Sequence, residues 1–202
     1  INSKEDLINY FHQGSKKELF IGVENEKFLF DQSSNSRATY LKVKNVLYYL
    51  KKFGWQEVTE GENLIGLKDN RKNITLEPGN QIELSGEKLK NIHEACSESF
   101  IFLDQMKKVC KKLGLKMISV GFDPISKIEE VPKSPKKRYE IMKTEMPKHG
   151  KSSLEMMYQT CGTQVNLDYV SELDFKTKFK LASYLTPISI ALFANSAIKQ
   201  MK

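Results

Sequence analysis

Apolar residues recur along the chain with two periods, and the places where the period changes mark the elements. Ser3-Lys4-Glu5-Asp6 has the form of a capping box, and Leu7, Ile8, Tyr10 and Phe11 follow before Gly14. This pattern predicts a short helix. Leu19 to Phe30 alternates instead, with Ile21 and Val23 on one face and Glu24 and Glu26 among Phe20, Gly22 and Phe28 on the other. Residues i and i+2 of a strand share a face, so the two carboxylates stand roughly 6.5 Å apart on one side. Tyr40 to Phe53 returns to helical spacing through Val43, Val46, Leu47 and Leu50, with Gly54 as the stop. Leu64–Leu67 and Ile74–Leu76 flank Asp69-Asn70-Arg71-Lys72 and predict a hairpin. Beyond the bend at Glu77-Pro78-Gly79-Asn80, alternation groups Gln81, Glu83 and Ser85 against Ile82 and Leu84.

Leu89 to Leu113 carries the longest stripe: Ile92, Ala95, Cys96, Ser99, Phe102, Leu103, Met106, Val109, Cys110 and Leu113, ended by Gly114. That spacing predicts one buried helix face with Cys96 and Cys110 both in it. Leu115 to Phe122 reads as a strand. Three prolines between Asp123 and Pro135 mark a surface excursion into a short helix at Arg138 to Met146. Thr160 to Tyr169 alternates, with Gln164, Asn166 and Asp168 opposite Val165, Leu167 and Tyr169 and with Cys161 packed. Ser171 to Asp174 repeats the capping box and opens a C-terminal helix expected to be interrupted near Pro187. Neither a repeat nor a low-complexity linker divides the pattern, so residues 1–202 are expected to form a single catalytic-type domain.

Composition narrows the class. The chain has 202 residues, enough for one sizeable core, and no apolar run approaches the roughly 20 residues of a membrane-spanning helix. The first six residues lack the pattern of a secretory signal, and on that basis a cytoplasmic protein is expected. Net charge is +7, and eight basic residues against four acidic ones lie between Lys127 and Lys151. Such a segment suits a solvated face or an acidic partner such as nucleotide phosphates. Only three basic residues are arginine, which disfavours base reading, and no nucleic-acid partner is expected. Cys96, Cys110 and Cys161 make no disulfide framework, and with three scattered histidines no zinc spacing occurs. Phosphate loops, dinucleotide fingerprints and nucleophile elbows are absent.

What remains is a set of oxygen ligands: Glu24 and Glu26; Glu77, Gln81 and Glu83; Gln164, Asn166 and Asp168. Taken singly, each group is explained by the solvent face of a half-exposed strand. Together, with Gly22, Gly79 and Gly162 permitting close approach, they suit a hard cation such as magnesium shared with substrate phosphates. Carboxylates crowded on one sheet face repel one another unless a cation neutralises them.

The blocks around these residues carry a resemblance. Ile21-Gly22-Val23-Glu24-Asn25-Glu26-Lys27-Phe28, Ile74 through Gly86, Gly121-Phe122-Asp123-Pro124, Pro135 through Met142, Met146-Pro147, Thr160 through Tyr169 and Ala191 through Ser196 resemble, in order, the plant and proteobacterial type of glutamate–cysteine ligase. Asn25, Asn80, Glu145 and Gly162 depart from the family pattern. The resemblance implies an α+β domain built on an antiparallel sheet with flanking helices, similar to glutamine synthetase and the guanidino kinases. It implies glutamate, cysteine and ATP as substrates, with magnesium or manganese held by Glu24, Glu26, Glu77 and Glu83. Arg138 is implied as a catalytic and substrate-binding cation, and Gln81, Thr160, Gln164 and Asn166 as further substrate-binding groups. A ligase with another amine acceptor, or a basic binding module without catalysis, are the alternatives. Family members continue beyond Ser196. The chain is therefore expected to be the N-terminal part, truncated on its C-terminal side and nearly inactive alone. Apolar Leu185 to Phe193 would leave it prone to self-association.

Overall fold

The computed structural model describes residues 1–69 and 71–199; Asn70, in the expected hairpin turn, lies outside them. Seven strands form one sheet: β1 (Ile21–Asp31), β2 (Gln56–Glu60), β3 (Asn63–Lys68), β4 (Asn73–Leu76), β5 (Ile82–Ser85), β6 (Leu115–Ile118) and β7 (Thr163–Leu167). Their order is β2-β3-β4-β5-β1-β6, with β7 also paired to β1. Every pairing is antiparallel. With six α-helices among the described residues, α1 (Lys4–Gln13), α2 (Tyr40–Leu50), α3 (Ile92–Leu113), α4 (Lys137–Glu145), α5 (Ser153–Gln159) and α6 (Glu172–Leu192), the fold is α+β.

The core lies between α2, α3 and the sheet. Val43, Val46, Leu47 and Leu50 of α2 and Phe102, Met106 and Val109 of α3 meet Leu67, Ile74, Leu76, Ile82 and Leu84 from the strands. Alternation in β5 therefore turns Glu83 away from this layer, onto the opposite face. Gly114, at φ 64°, stops α3 in the left-handed conformation and lets β6 begin at once. The expected capping box closes at α1, where Ser3 Oγ accepts from Asp6 N at 3.1 Å and Asp6 from Ser3 N at 3.2 Å. At α6 only half of it forms: Ser171 Oγ accepts from Asp174 N at 3.2 Å, while Asp174 accepts from Val170 N at 3.0 Å.

Several expectations are corrected. The buried stripe of α3 is Ala95, Glu98, Phe102, Met106, Val109 and Cys110, and Cys96 and Ile92 are exposed. Cys96 lies within about 40° of Cys110 around the helix, so its exposure comes from position along the axis: the main core reaches α3 only from Phe102 onward. α6 runs unbroken through Pro187. Its last turns are solvent-exposed, so water can serve the carbonyl that proline leaves without a donor. Gln81 sits with Glu77 in the turn between β4 and β5 rather than at the start of the strand, and the strand expected at Leu115–Phe122 ends at Ile118. β2 and α5 were not anticipated.

Cys110 and Cys161 are buried, and burial pushes their thiols up to about 11 and about 12. Under native conditions a thiol reagent is expected to label Cys96 within minutes and to spare the other two. Equal labelling of all three would mean that the α3 register is wrong.

Candidate metal and phosphate site

Register assembles the site. β1 and β5 place Glu26 directly opposite Glu83, and β4 places Thr75 opposite Glu83 on the far side. Directly opposed like charges destabilise a sheet, so Glu26 facing Glu83 opposes folding. Glu77 joins them from just beyond the end of β4, and one carboxylate oxygen from each of Glu26, Glu77 and Glu83 lies within 4.8 Å of the other two. Among the described residues none of the three has a basic partner within 4.0 Å. Glu83 instead accepts from Thr75 Oγ1 at 3.2 Å and Ser85 Oγ at 2.6 Å, and Glu26 from Gly162 N at 2.7 Å.

The turn carrying Glu77 is braced from all sides. Glu77 N donates to Gln81 O at 2.8 Å and Asn80, at φ 59°, returns its N–H to Glu77 O at 2.9 Å. Gln81 accepts from Gly79 N at 2.8 Å and donates to Thr160 O at 2.8 Å. A side chain at residue 79 would run into the Tyr158 carbonyl, so only glycine fits there. Behind the turn, the buried Arg37 guanidinium bonds the Gly79 carbonyl and pairs with Asp123 at 2.9 Å.

The other expected site residues fall around this cluster. Glu24, two residues along β1 from Glu26, accepts from Gln164 Nε2 at 2.8 Å and Asn166 Nδ2 at 2.9 Å on β7. The amide of Gln81 is engaged at both ends in the brace, and the Thr160 hydroxyl donates to Met156 O. Exposed Arg138 reaches back at the start of α4 to donate to the Tyr139 hydroxyl at 3.1 Å. Lys136 and Tyr139, both buried beside Glu77, were missed. A lysine kept inside among charged neighbours was their one signal, and burial is not visible in sequence.

Electrostatics marks the cluster as strained. Burial, then the neighbouring Glu77, Glu83 and Glu24 charges, push Glu26 up to about 7 despite the Gly162 hydrogen bond. Burial and then Glu83 also raise Glu77. A raised carboxyl means that the folded chain keeps a proton the unfolded chain has lost. This group therefore costs stability increasingly from pH 4.5 to about 7, and fully above. An oxygen-only donor set with this unrelieved repulsion fits a divalent hard cation. Cation and proton would compete for Glu26, so manganese affinity is expected to fall up to about tenfold per pH unit below 7. Water-proton relaxation titrations at pH 5.5, 6.5 and 7.5 measure it, and a flat profile would contradict the assignment.

The model of glutamate–cysteine ligase family 2 matches residues 20–200. The chain is 44% identical over 197 residues to the chloroplastic glutamate–cysteine ligase of Medicago truncatula, covering 96% of this chain and 39% of that protein. Against the chloroplastic enzyme of Nicotiana tabacum it is 42% identical over 203 residues, 99% of this chain and 39% of the relative. For Arabidopsis thaliana the identity is 41% over the same shares. The chain thus spans about two fifths of the length of the curated relatives it matches. Their names also correct the cytoplasmic expectation, since these relatives are chloroplastic. That expectation rested on the first six residues, which carry no information about any segment preceding them. With the family model matching residues 20–200 and these relatives 41–44% identical over nearly the whole chain, the chain belongs to glutamate–cysteine ligase family 2.

Proposed function

We propose that residues 1–202 form one catalytic-type unit of an ATP-dependent ligase that joins the γ-carboxyl of glutamate to the amine of cysteine. The observation that carries this reading is the cluster of Glu26, Glu77 and Glu83 within 4.8 Å on the sheet of a chain of this family. These three would hold magnesium or manganese, with Glu24 alongside. A divalent cation there supplies charge neutralisation for phosphate oxygens.

A carboxylate is a poor electrophile until one oxygen becomes a leaving group. The γ-carboxylate oxygen attacks the terminal phosphorus of ATP and ADP leaves; the cysteine nitrogen then attacks the acyl carbon, loses a proton and expels phosphate. Arg138 is a fixed cation suited to a carboxylate or phosphate oxygen during both steps. Gln164 and Asn166 lie on the exposed face next to Glu24, where they can orient a substrate or hold Glu24 toward the cation. Gln81 and Thr160 serve the same site by bracing the Glu77 turn. Exposed Tyr184, Leu185, Ile188, Ile190, Leu192 and Phe193 on and just beyond α6 support the expected self-association.

A coupled ADP-release assay tests the reading, run on the chain in its full reading frame with glutamate, magnesium and either cysteine or another amine. Release that requires glutamate and prefers cysteine is expected. Glutamate-dependent release indifferent to cysteine but driven by another amine would move the chain to a ligase with a different acceptor.

A further inference from the structure

Two cations stand beside the carboxylate cluster without pairing to it. Lys136, immediately before α4, is 9% exposed, a rare place for an ammonium group. Among the described residues neither it nor Arg138 has an acidic partner within 4.0 Å. Both are gathered instead on one aromatic ring: Lys136 Nζ lies 5.2 Å and the Arg138 guanidinium 4.8 Å from the centre of Tyr139. The Tyr139 hydroxyl accepts from Arg138 Nη2 at 3.1 Å and from Lys136 Nζ at 3.5 Å. It donates to the Leu76 carbonyl at 2.8 Å, with Glu77 Oε1 at 3.2 Å. One hydroxyl therefore ties two like charges to the strand end that carries Glu77. Glu60 faces the same helix start and accepts from Lys137 N at 3.0 Å.

Holding an ammonium out of water next to a guanidinium is unfavourable unless an anion completes the group. Glu77 and Glu83 lend both cations counter-charge from a distance, and Glu60 lends it to Lys136, but among the described residues none closes to an ion pair with them, and Glu77 Oε1 is turned to the Tyr139 hydroxyl. We propose that Lys136 and Arg138 form a two-cation seat for a phosphoryl group, and that Tyr139 is the positioning residue that holds the seat across from Glu26, Glu77 and Glu83. The proposal deepens the ligase reading and rests on it. A phosphoryl group suits the seat better than a carboxylate because it carries enough charge to meet two cations, and its several oxygens can also face a cation held by the carboxylates.

The test is calorimetric titration of the preformed manganese–tripolyphosphate complex into the chain, with free manganese and free glutamate titrated in parallel. Lys136→Met is expected to weaken the complex about tenfold to a hundredfold. Lys136→Arg should retain much of the affinity, and Tyr139→Phe, which keeps the ring and loses the hydroxyl, should lose severalfold. Free manganese should bind Lys136→Met at least as tightly as the unaltered chain, because a nearby cation has gone. Lys133→Met, a lysine over the Tyr158 ring on the same basic segment, should behave as the unaltered chain. The proposal is overturned if the unaltered chain does not bind the complex or if Lys136→Met and Tyr139→Phe both bind it unchanged. It is equally overturned if Lys133→Met loses as much, or if the two substitutions weaken glutamate and leave the phosphate complex alone. Loss of free-manganese binding by the unaltered chain would instead sink the carboxylate cluster itself, so the two failures are distinguishable.

Discussion

Glu77→Gln is expected to weaken manganese binding by at least about tenfold to a hundredfold and, in the same variant, to stabilise the metal-free fold. Removing an outer hydrogen-bond partner of a metal ligand commonly costs that much affinity, and a carboxylate facing the cation should cost no less. The stability change has the opposite sign because Glu77 is one of three carboxylates within 4.8 Å, and burial together with Glu83 already raises its pKa. The amide keeps the shape that receives the Tyr139 hydroxyl at 3.2 Å while removing the repulsion. Glu26→Gln should behave alike, with Gly162 N still bonded to the remaining carbonyl oxygen. Glu24→Gln should change affinity less, since Gln164 and Asn166 already engage both its oxygens and its oxygens are not among those within 4.8 Å. Manganese relaxation titration and thermal melts on the three variants measure both quantities. Affinity unchanged in Glu77→Gln and Glu26→Gln, or melting temperatures that fall in both, would remove the metal assignment.

Much of this arrangement was legible because two physical periods wrote it. In β1 the i, i+2 spacing of Glu24 and Glu26 put both on one face, and the three-four spacing of Val43, Val46, Leu47 and Leu50 fixed the buried side of α2. Glu77 was legible for a different reason: Pro78 and Gly79 force a bend where the strand pattern ends. β2 was not, because an edge strand of Gln56, Glu57, Thr59 and Glu60 exposes those side chains and shows no alternation of polarity. α5 is seven residues long, too short for a period to declare itself. Cys96 was misplaced because periodicity gives the buried side of α3 and not how far along its axis the core reaches, which is from Phe102 onward. Within the site, whatever depends on long-range contact was invisible. Tyr139 meets Leu76 across 63 residues and Arg37 meets Asp123 across 86, and no local pattern encodes either.

Arg37→Met is expected to destabilise the fold by about 3–5 kcal/mol, the largest stability loss of any single change considered, although Arg37 touches no carboxylate of the cluster. Its guanidinium and the Asp123 carboxylate are both almost wholly inaccessible to water and 2.9 Å apart. The guanidinium also bonds the Gly79 carbonyl and lies 4.3 Å from the centre of the Phe28 ring. Methionine fills much of the volume and keeps the packing on Phe28, but it leaves a buried carboxylate that has lost its counter-charge. Burial alone would push Asp123 up; the backbone N–H groups of Ser126 and Ile125, then Arg37, outweigh it and hold the carboxyl below its ordinary range. Those N–H groups, at 2.9 and 3.0 Å, remain in the variant, so Asp123 is uncompensated rather than wholly unpartnered. For a chain of this length the loss corresponds to a fall of about 10 °C in melting temperature. Arg37→Lys should recover only part, since one ammonium cannot serve Asp123 and Gly79 in the fork geometry of a guanidinium. Pairing Arg37→Met with Asp123→Asn should recover part as well, because the charge that had lost its partner is gone while an amide oxygen still accepts from Ser126 and Ile125. The Gly79 carbonyl stays unserved in both double and single variants, so manganese affinity should remain below that of the unaltered chain even where stability returns. Denaturant melts of the single and double variants supply the cycle. A loss below about 1 kcal/mol for Arg37→Met, or a double variant less stable than the single, would show that the pair does not hold the Glu77 turn.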